Sequence, residues 1–212
     1  MLCWERKINK PTKTSKAEPP KKIRIIGGNW RSRLLTVIDL PGLRPTTDRI
    51  RETVFNWLGQ DLTGLRCLDL FAGTGALGFE AASRGAEFVV LLEKDKKAHA
   101  NLKTNFVALQ SSPASGTVEI LHRDSLEYLK LQADRSCNLI FIDPPFQDVS
   151  LFELAVSEAG RVCDDSPGGG IYVEFPSSRT REEVEALLPD WHCGKYLEAG
   201  QVKACLFRGG RG

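Results

Sequence analysis

Residues 66–78, Arg-Cys-Leu-Asp-Leu-Phe-Ala-Gly-Thr-Gly-Ala-Leu-Gly, constrain the fold more than any other stretch of this chain. The apolar run 67–70 is short and reads as a buried strand. Gly73 and Gly75 break it, and helix formers follow from Ala76. Strand, glycine turn and helix in that order make the unit of a doubly wound α/β sheet at which a ligand meets the strand ends. Gly73, Gly75 and Gly78 spell G-x-G-x-x-G, and Glu93 lies twenty positions after Gly73, at the end of the next apolar run. That spacing is a dinucleotide fingerprint. The charge points elsewhere, because Asp69, four residues before Gly73, would oppose a pyrophosphate and attract a cation. S-adenosylmethionine, which carries a sulfonium and an ammonium, suits this acidic strand end better, although the motif alone admits both ligands.

Residues 138–146, Asn-Leu-Ile-Phe-Ile-Asp-Pro-Pro-Phe, form the second constraint. An apolar strand ends in an acid, two prolines and an aromatic ring. Asp-Pro also begins ordinary turns, but chemistry explains this combination as well. The lone pair of an exocyclic amino group is delocalised and attacks a methyl group poorly. Asp143 and the Pro144 carbonyl can each accept one of its N–H bonds and favour a pyramidal nitrogen. Pro144 and Pro145 restrict the local φ angles and hold both acceptors in place. Phe146 offers a face for stacking an extruded base, worth about 1–3 kcal/mol.

Charge is unevenly distributed. Residues 1–51 carry thirteen Lys and Arg against four Asp and Glu, and residues 52–212 carry sixteen against twenty-three. A basic N-terminal region on a mildly acidic body points to a polyanionic partner. The six cysteines are scattered without a C-x-x-C pair, so neither a disulfide framework nor a zinc site is expected. His99, His122 and His192 share no metal-ligand spacing, and no metal is expected. There is no signal-like leader or membrane-length apolar run, and the expected location is cytoplasmic. G-x-S-x-G and Walker-type motifs are absent, which removes hydrolase and phosphate-transfer readings.

In chain order, residues 1–22 read as a basic disordered tail. Residues 23–60 read as an N-terminal hairpin and helix forming an RNA-binding arm, and residues 61–212 as the catalytic domain. The hairpin runs 23–26, turns at 27–29 and returns over 34–38. Arg24, Arg31 and Arg33 punctuate it, and Trp30 either stacks on bases or closes a small core. A helix begins at Thr46 or Thr47, with Ile50, Val54, Trp57 and Leu58 inward and Arg49, Arg51 and Asn56 on other faces. Further strands are expected at 88–92, 118–121, 139–142 and 171–175, helices at 76–84, 96–109, 126–131, 150–162 and 179–188, and a terminal hairpin over 195–208. Glu93 can accept hydrogen bonds from both ribose hydroxyls. Asp124 can take an adenine amino group or cap the following helix. The alternation gives an α/β fold with a mainly parallel sheet and an antiparallel final strand.

Four segments together resemble a known family: 23–33 (Ile-Arg-Ile-Ile-Gly-Gly-Asn-Trp-Arg-Ser-Arg), 42–58 (Gly-Leu-Arg-Pro-Thr-Thr-Asp-Arg-Ile-Arg-Glu-Thr-Val-Phe-Asn-Trp-Leu), 68–78 and 143–146. They are similar to the bacterial 16S ribosomal RNA guanine-N2 methyltransferases, small-subunit methyltransferase D type, over about residues 23–207. The first two segments are the specific ones, since the glycine loop and Asp-Pro-Pro-Phe recur in many amino methyltransferases. The resemblance implies a Rossmann-like, seven-stranded S-adenosylmethionine-dependent methyltransferase fold with an N-terminal β-hairpin arm. It implies methyl transfer to the exocyclic N2 of a guanine in 16S ribosomal RNA, within an assembled small-subunit particle. By motif, Asp69, Phe71, Gly73, Thr74 and Gly75 would shape the methionine end of the cofactor pocket. Glu93 would hold the ribose, Asp124 and Ser125 the adenine, and Asp143, Pro144, Pro145 and Phe146 the guanine. Arg24, Trp30, Arg31, Arg33, Arg44, Arg49 and Arg51 would meet RNA. Ser32 and Thr74 stand where the pattern suggests Gly and Ser. The alternatives are an amino methyltransferase acting on DNA adenine or a protein amide, a dinucleotide-dependent oxidoreductase, and a non-catalytic RNA-binding assembly factor.

Overall fold

Short apolar runs separated by amphipathic helices fold into a single seven-stranded sheet flanked on both faces. The computed structural model describes residues 21–38, 47–112 and 116–210. In chain order the elements are β1 (Lys22–Arg24), β2 (Leu34–Thr36), α1 (Asp48–Leu58), β3 (Arg66–Asp69), α2 (Ala76–Ser83), β4 (Phe88–Glu93), α3 (Lys96–Leu109) and β5 (Thr117–His122). They continue with α4 (Ser125–Lys130), β6 (Leu139–Ile142), α5 (Val149–Val162), β7 (Gly170–Pro176), α6 (Arg181–Glu185), β8 (Trp191–Ala199) and β9 (Val202–Gly209). The main sheet has the order β5-β4-β3-β6-β7-β9-β8. Strands β3 to β7 pair in parallel, and β9 pairs antiparallel with both β7 and β8. From β3 the chain winds outward through β4 and β5, then returns to place β6 on the other side. The switch point therefore lies between the ends of β3 and β6, where open α/β sheets bind ligands.

The two faces of the sheet build two apolar clusters. Ile140, Ile142, Val173 and Phe175 meet α5 through Phe152, Val156 and Val162 on one side. On the other side, Leu77, Phe79, Leu102 and Leu109 pack with Phe141 and Tyr172. The N-terminal arm enters this second cluster. Ile25, Trp30, Leu35, Ile50, Val54, Phe55 and Leu58 are all buried there, so the described residues 23–38 and 47–60 share a core with the body.

Helix α1 starts at Thr47, whose hydroxyl accepts the Ile50 N–H at 3.4 Å, and Gly59 at φ 96° ends it. The terminal helix is shorter than the periodicity suggests, covering Arg181–Glu185 with a capping box between Thr180 and Glu183. The hairpin also differs from expectation. Only three residue pairs form its ladder, from Lys22↔Thr36 to Arg24↔Leu34. The intervening loop folds onto the end of α2, and the Asn29 N–H donates to the Ser83 carbonyl at 2.7 Å. Gly28 (φ 70°) passes so close that a Cβ would lie 1.8 Å from that carbonyl oxygen, so only glycine fits. Ser32, where the resemblance suggested Gly, adopts φ 67°. Lys22 belongs to β1, and the Lys21 carbonyl accepts the Val37 N–H, so the expected tail ends at least two residues earlier than 22.

Candidate active site

The parallel register places the acidic residues together. Asp69 closes β3 beside Leu91 of β4 and Phe141 of β6, two residues before Asp143. Glu93 closes β4. Asp69 is buried, and its Oδ2 accepts the Gly78 N–H at 2.9 Å. A Cβ on residue 78 would lie 2.7 Å from Leu91 and 3.1 Å from that same carboxylate oxygen, so the third glycine of the motif lets α2 approach β3. Glu93 spans the turn: Oε2 accepts from Gly73 N at 2.9 Å and Oε1 from Asp95 N at 2.7 Å. Ala72 N donates to the Leu92 carbonyl, which ties the glycine turn to β4.

Burial pushes the Asp69 carboxyl up to about 7, and the neighbouring charges of Asp143 and Glu93 add to this against the Gly78 and Phe71 amides. Burial also raises Glu93, which the amides of Asp95 and Gly73 oppose. Asp69 and Glu93 thus end adjacent strands, and Asp143 follows the end of the strand on the other side of Asp69. Acidic strand ends beside a glycine turn suit a ligand carrying positive charge near its reactive centre, and the residues present fit a sulfonium donor better than a pyrophosphate. Asp143 and Phe146 are half-buried, Pro144 is buried and Pro145 is exposed. Phe71 is half-buried beside the turn, and Gly73, Thr74 and Gly75 are buried within it.

Asp124 acts as the N-cap of α4, accepting from Leu126 N at 3.0 Å and Glu127 N at 3.2 Å. Its other oxygen pairs with Lys94 at 2.9 Å. That lysine is the main cause of its lowered pKa. Ser125 is buried and donates its hydroxyl to the Leu70 carbonyl, joining α4 to the end of β3.

Sequence reasoning missed Asn105. This buried residue of α3 accepts Thr36 N at 2.9 Å and donates to the carbonyls of Thr36 at 3.1 Å and Thr74 at 3.2 Å. One amide thus fastens β2 of the arm to the glycine turn. Its sole sequence signal was a polar residue on an otherwise buried helix face, adjacent to Phe106. Glu80 was missed too. Fully buried, it accepts the Ile26 and Gly27 N–H groups at 2.7 Å each and pairs with Arg84 at 2.7 Å.

Two of the expected RNA contacts are corrected. Trp30 is 1% exposed; its ring meets Phe79 and Phe106 edge-on, and its Nε1–H donates to the Ser112 carbonyl. It belongs to the core. Arg51 is fully buried, bound to Asp48 at 2.7 Å and to the Arg24 carbonyl at 2.8 Å, with Glu80 3.9 Å away. It joins α1 to the hairpin and to α2. Arg24, Arg31 and Arg49 are exposed, and Arg24 pairs loosely with Asp48 at 3.4 Å. Arg33 donates to the Ser111 hydroxyl beyond the end of α3. That helix is about 21 Å long by its fourteen residues. Arg33 therefore lies at the end of α3 away from Glu93. Arg44 lies outside the described residues.

The described cysteines are all free, no group of described residues could hold a metal ion, and no described helix is long and apolar enough to cross a membrane. The chain is 40% identical over 193 residues to ribosomal RNA small subunit methyltransferase D of Escherichia coli K12, covering 88% of this chain and 90% of that protein. It is 43% identical over 192 residues to the Haemophilus influenzae protein of the same name, covering 88% and 94%. The solved structure of yhhF from Escherichia coli superposes with a TM-score of 0.73 at 37% identity, covering 89% of this chain and 98% of that one. A family model described as Conserved hypothetical protein 95 matches residues 23–208. With a β5-β4-β3-β6-β7-β9-β8 sheet, carboxyls at the ends of its central strands and that breadth of match, the chain belongs to this family, that of the ribosomal RNA small subunit methyltransferase D proteins.

Proposed function

We propose that this protein transfers a methyl group from S-adenosylmethionine to the exocyclic N2 of a guanine in 16S ribosomal RNA, presented in a small-subunit particle. The observation that carries the reading is the register of β3 and β6, which sets Asp69 beside Phe141, two residues before Asp143, in a chain whose relatives are named for small-subunit ribosomal RNA methylation. When bound, the donor supplies an electrophilic methyl carbon on a positively charged sulfur. Asp69 faces that charge, and the turn at Gly73 to Gly75 lets the backbone approach. Glu93 stands where ribose hydroxyls would be accepted, once one of its two backbone bonds is shared or exchanged. Asp124 and Ser125 border the adenine end.

On the acceptor side, Asp143 and the Pro144 carbonyl hold the two amino N–H bonds, and Phe146 supports the extruded base. Asp143 would hold the amino nitrogen in line with the methyl carbon that the bound donor supplies, and would be placed to accept the proton that the methylated nitrogen releases after transfer. Arg24, Arg31, Arg33 and Arg49 supply contacts to the RNA backbone. No covalent enzyme intermediate is required.

The test is incubation of the protein with labelled donor and unmethylated small ribosomal subunits, with the product nucleotide mapped by mass spectrometry. Methyl on guanine N2 is expected; methyl on adenine or on protein would refute the assignment. Asp143→Ala should lose at least a hundredfold in turnover while donor affinity changes less than threefold. Equal loss of both would give Asp143 a structural role.

A further inference from the structure

A concave site lies away from the carboxyl cluster. It encloses about 480 Å³ and is lined by Gly27, Gly28 and Arg31 of the arm, Glu52, Asn56 and Gln60 of α1 and its end, and Arg84 after α2. Arg84 caps the C-terminus of α2, whereas Gly75, in the glycine turn, caps its N-terminus. The eight residues of that helix separate the two sites by about 12 Å. A nucleotide bound here is not the one being methylated.

The polarity of this cavity is set from beneath. Arg84 is buried, paired with Glu80 and stacked 4.8 Å over the Phe55 ring, and its guanidinium, like any, only donates. It donates to Gln60 Oε1, which turns the Gln60 Nε2 outward to donate to Asn56 Oδ1. The chain of bonds leaves the Asn56 NH2 as its outermost group. Glu52 precedes Asn56 by four residues, and on a helix that spacing puts both on one face. On this helix face the rim of the cavity thus presents the Asn56 donor beside the Glu52 acceptor. Phosphate, which only accepts, is repelled by Glu52. The Watson–Crick edge of an unpaired base, with an N–H beside an acceptor, matches both groups. Arg31 is exposed at the mouth and can take the adjoining phosphate.

We infer that this cavity is a subsite for an unpaired nucleotide of the RNA substrate, distinct from the target guanine, with its base edge on Glu52 and Asn56 and its phosphate on Arg31. The inference rests on the RNA-methyltransferase reading above. Its volume lies in the range of single-ligand pockets, and single-stranded RNA is recognised through such exposed base edges.

The decisive variants are Glu52→Gln and Asn56→Ala, assayed for methyl transfer to unmethylated small ribosomal subunits, together with a photo-crosslinking residue placed at Asn56. If Glu52 accepts from a base, Glu52→Gln should raise KM for the particle roughly five- to tenfold, although it removes a negative charge from a polyanion site. Asn56→Ala should do the same. Both should leave donor affinity and kcat at saturating particle unchanged, and the crosslink should map to one unpaired nucleotide outside the target position. A KM that falls or stays level in Glu52→Gln, or a crosslink confined to ribosomal protein, would overturn the subsite while leaving the enzyme's activity standing. Absence of transfer by the unchanged protein would refute the activity and the subsite together.

Discussion

Asp69 offers the sharpest test of the proposed donor pocket, because its stability effect and its binding effect run in opposite directions. Its carboxyl ordinarily titrates at 3.8, and in the folded protein it is pushed up to about 7, first by burial and then by the charges of Asp143 and Glu93. The fold therefore prefers the protonated acid. Between those two values the native state holds a proton that the unfolded chain has released, so stability falls as pH rises, by about 1.4 kcal/mol per pH unit at most. Below 3.8 the contribution is fully present, and above 7 it is gone. Asp69→Asn replaces the acid with a neutral isostere whose oxygen can still accept the Gly78 N–H. Urea unfolding of the variant should lose this slope, and at pH 8 the variant should be more stable than the parent by about 1–4 kcal/mol.

Donor binding should respond the other way. A sulfonium and an ammonium favour the ionised carboxylate, so binding must expel the proton that Asp69 holds below pH 7. Calorimetric titration with S-adenosylmethionine should show affinity weakening about tenfold from pH 8 to pH 6. Comparison of buffers with different ionisation enthalpies should show close to one proton released at pH 6. Asp69→Asn should bind at least tenfold more weakly at pH 8 and show neither effect. A donor affinity that is level between pH 6 and 8 in the parent, or an Asp69→Asn variant that binds as well, would refute the claim that this carboxylate opposes the donor's charge.

Other consequences concern the arm. Trp30→Ala empties a site walled by Phe79 and Phe106 and should cost about 3–5 kcal/mol in denaturant unfolding; a change below about 1 kcal/mol with weakened RNA binding would return Trp30 to base stacking, the other of its two expected roles. Ser32→Gly relieves a left-handed residue at φ 67° and should raise stability by up to about 1 kcal/mol, after allowing for the freer unfolded chain. Asn105→Ala leaves the Thr36 and Thr74 carbonyls without this partner, and should cost about 2–4 kcal/mol. Well below the melting temperature it should also weaken donor binding several-fold, measured by calorimetry, because the glycine turn loses its tie to α3; unchanged affinity would confine Asn105 to a purely structural role.

The local elements were written plainly in the chain. Helix α3 and strand β6 occupy 96–109 and 139–142 as expected from apolar periodicity bounded by Asp95 and by Asp143-Pro144. Gly73, Gly75 and Gly78 marked the turn, and the acids at strand ends marked the cleft, because strand termini and the glycines that permit close approach are properties of short windows. What tertiary structure alone decided were the fates of polar and aromatic residues whose partners lie far along the chain. Arg51 looked like an RNA contact because Glu80, twenty-nine positions later, is invisible from its surroundings. Trp30 could have been exposed or buried until Phe79, Phe106 and the Ser112 carbonyl closed around it. Asn105 acquired its importance only when Thr36 and Thr74 were brought to either side of it. Periodicity reports which face of an element avoids water. It does not report which distant charge or carbonyl waits on that face, and that pairing decides whether a buried polar group is excluded or kept.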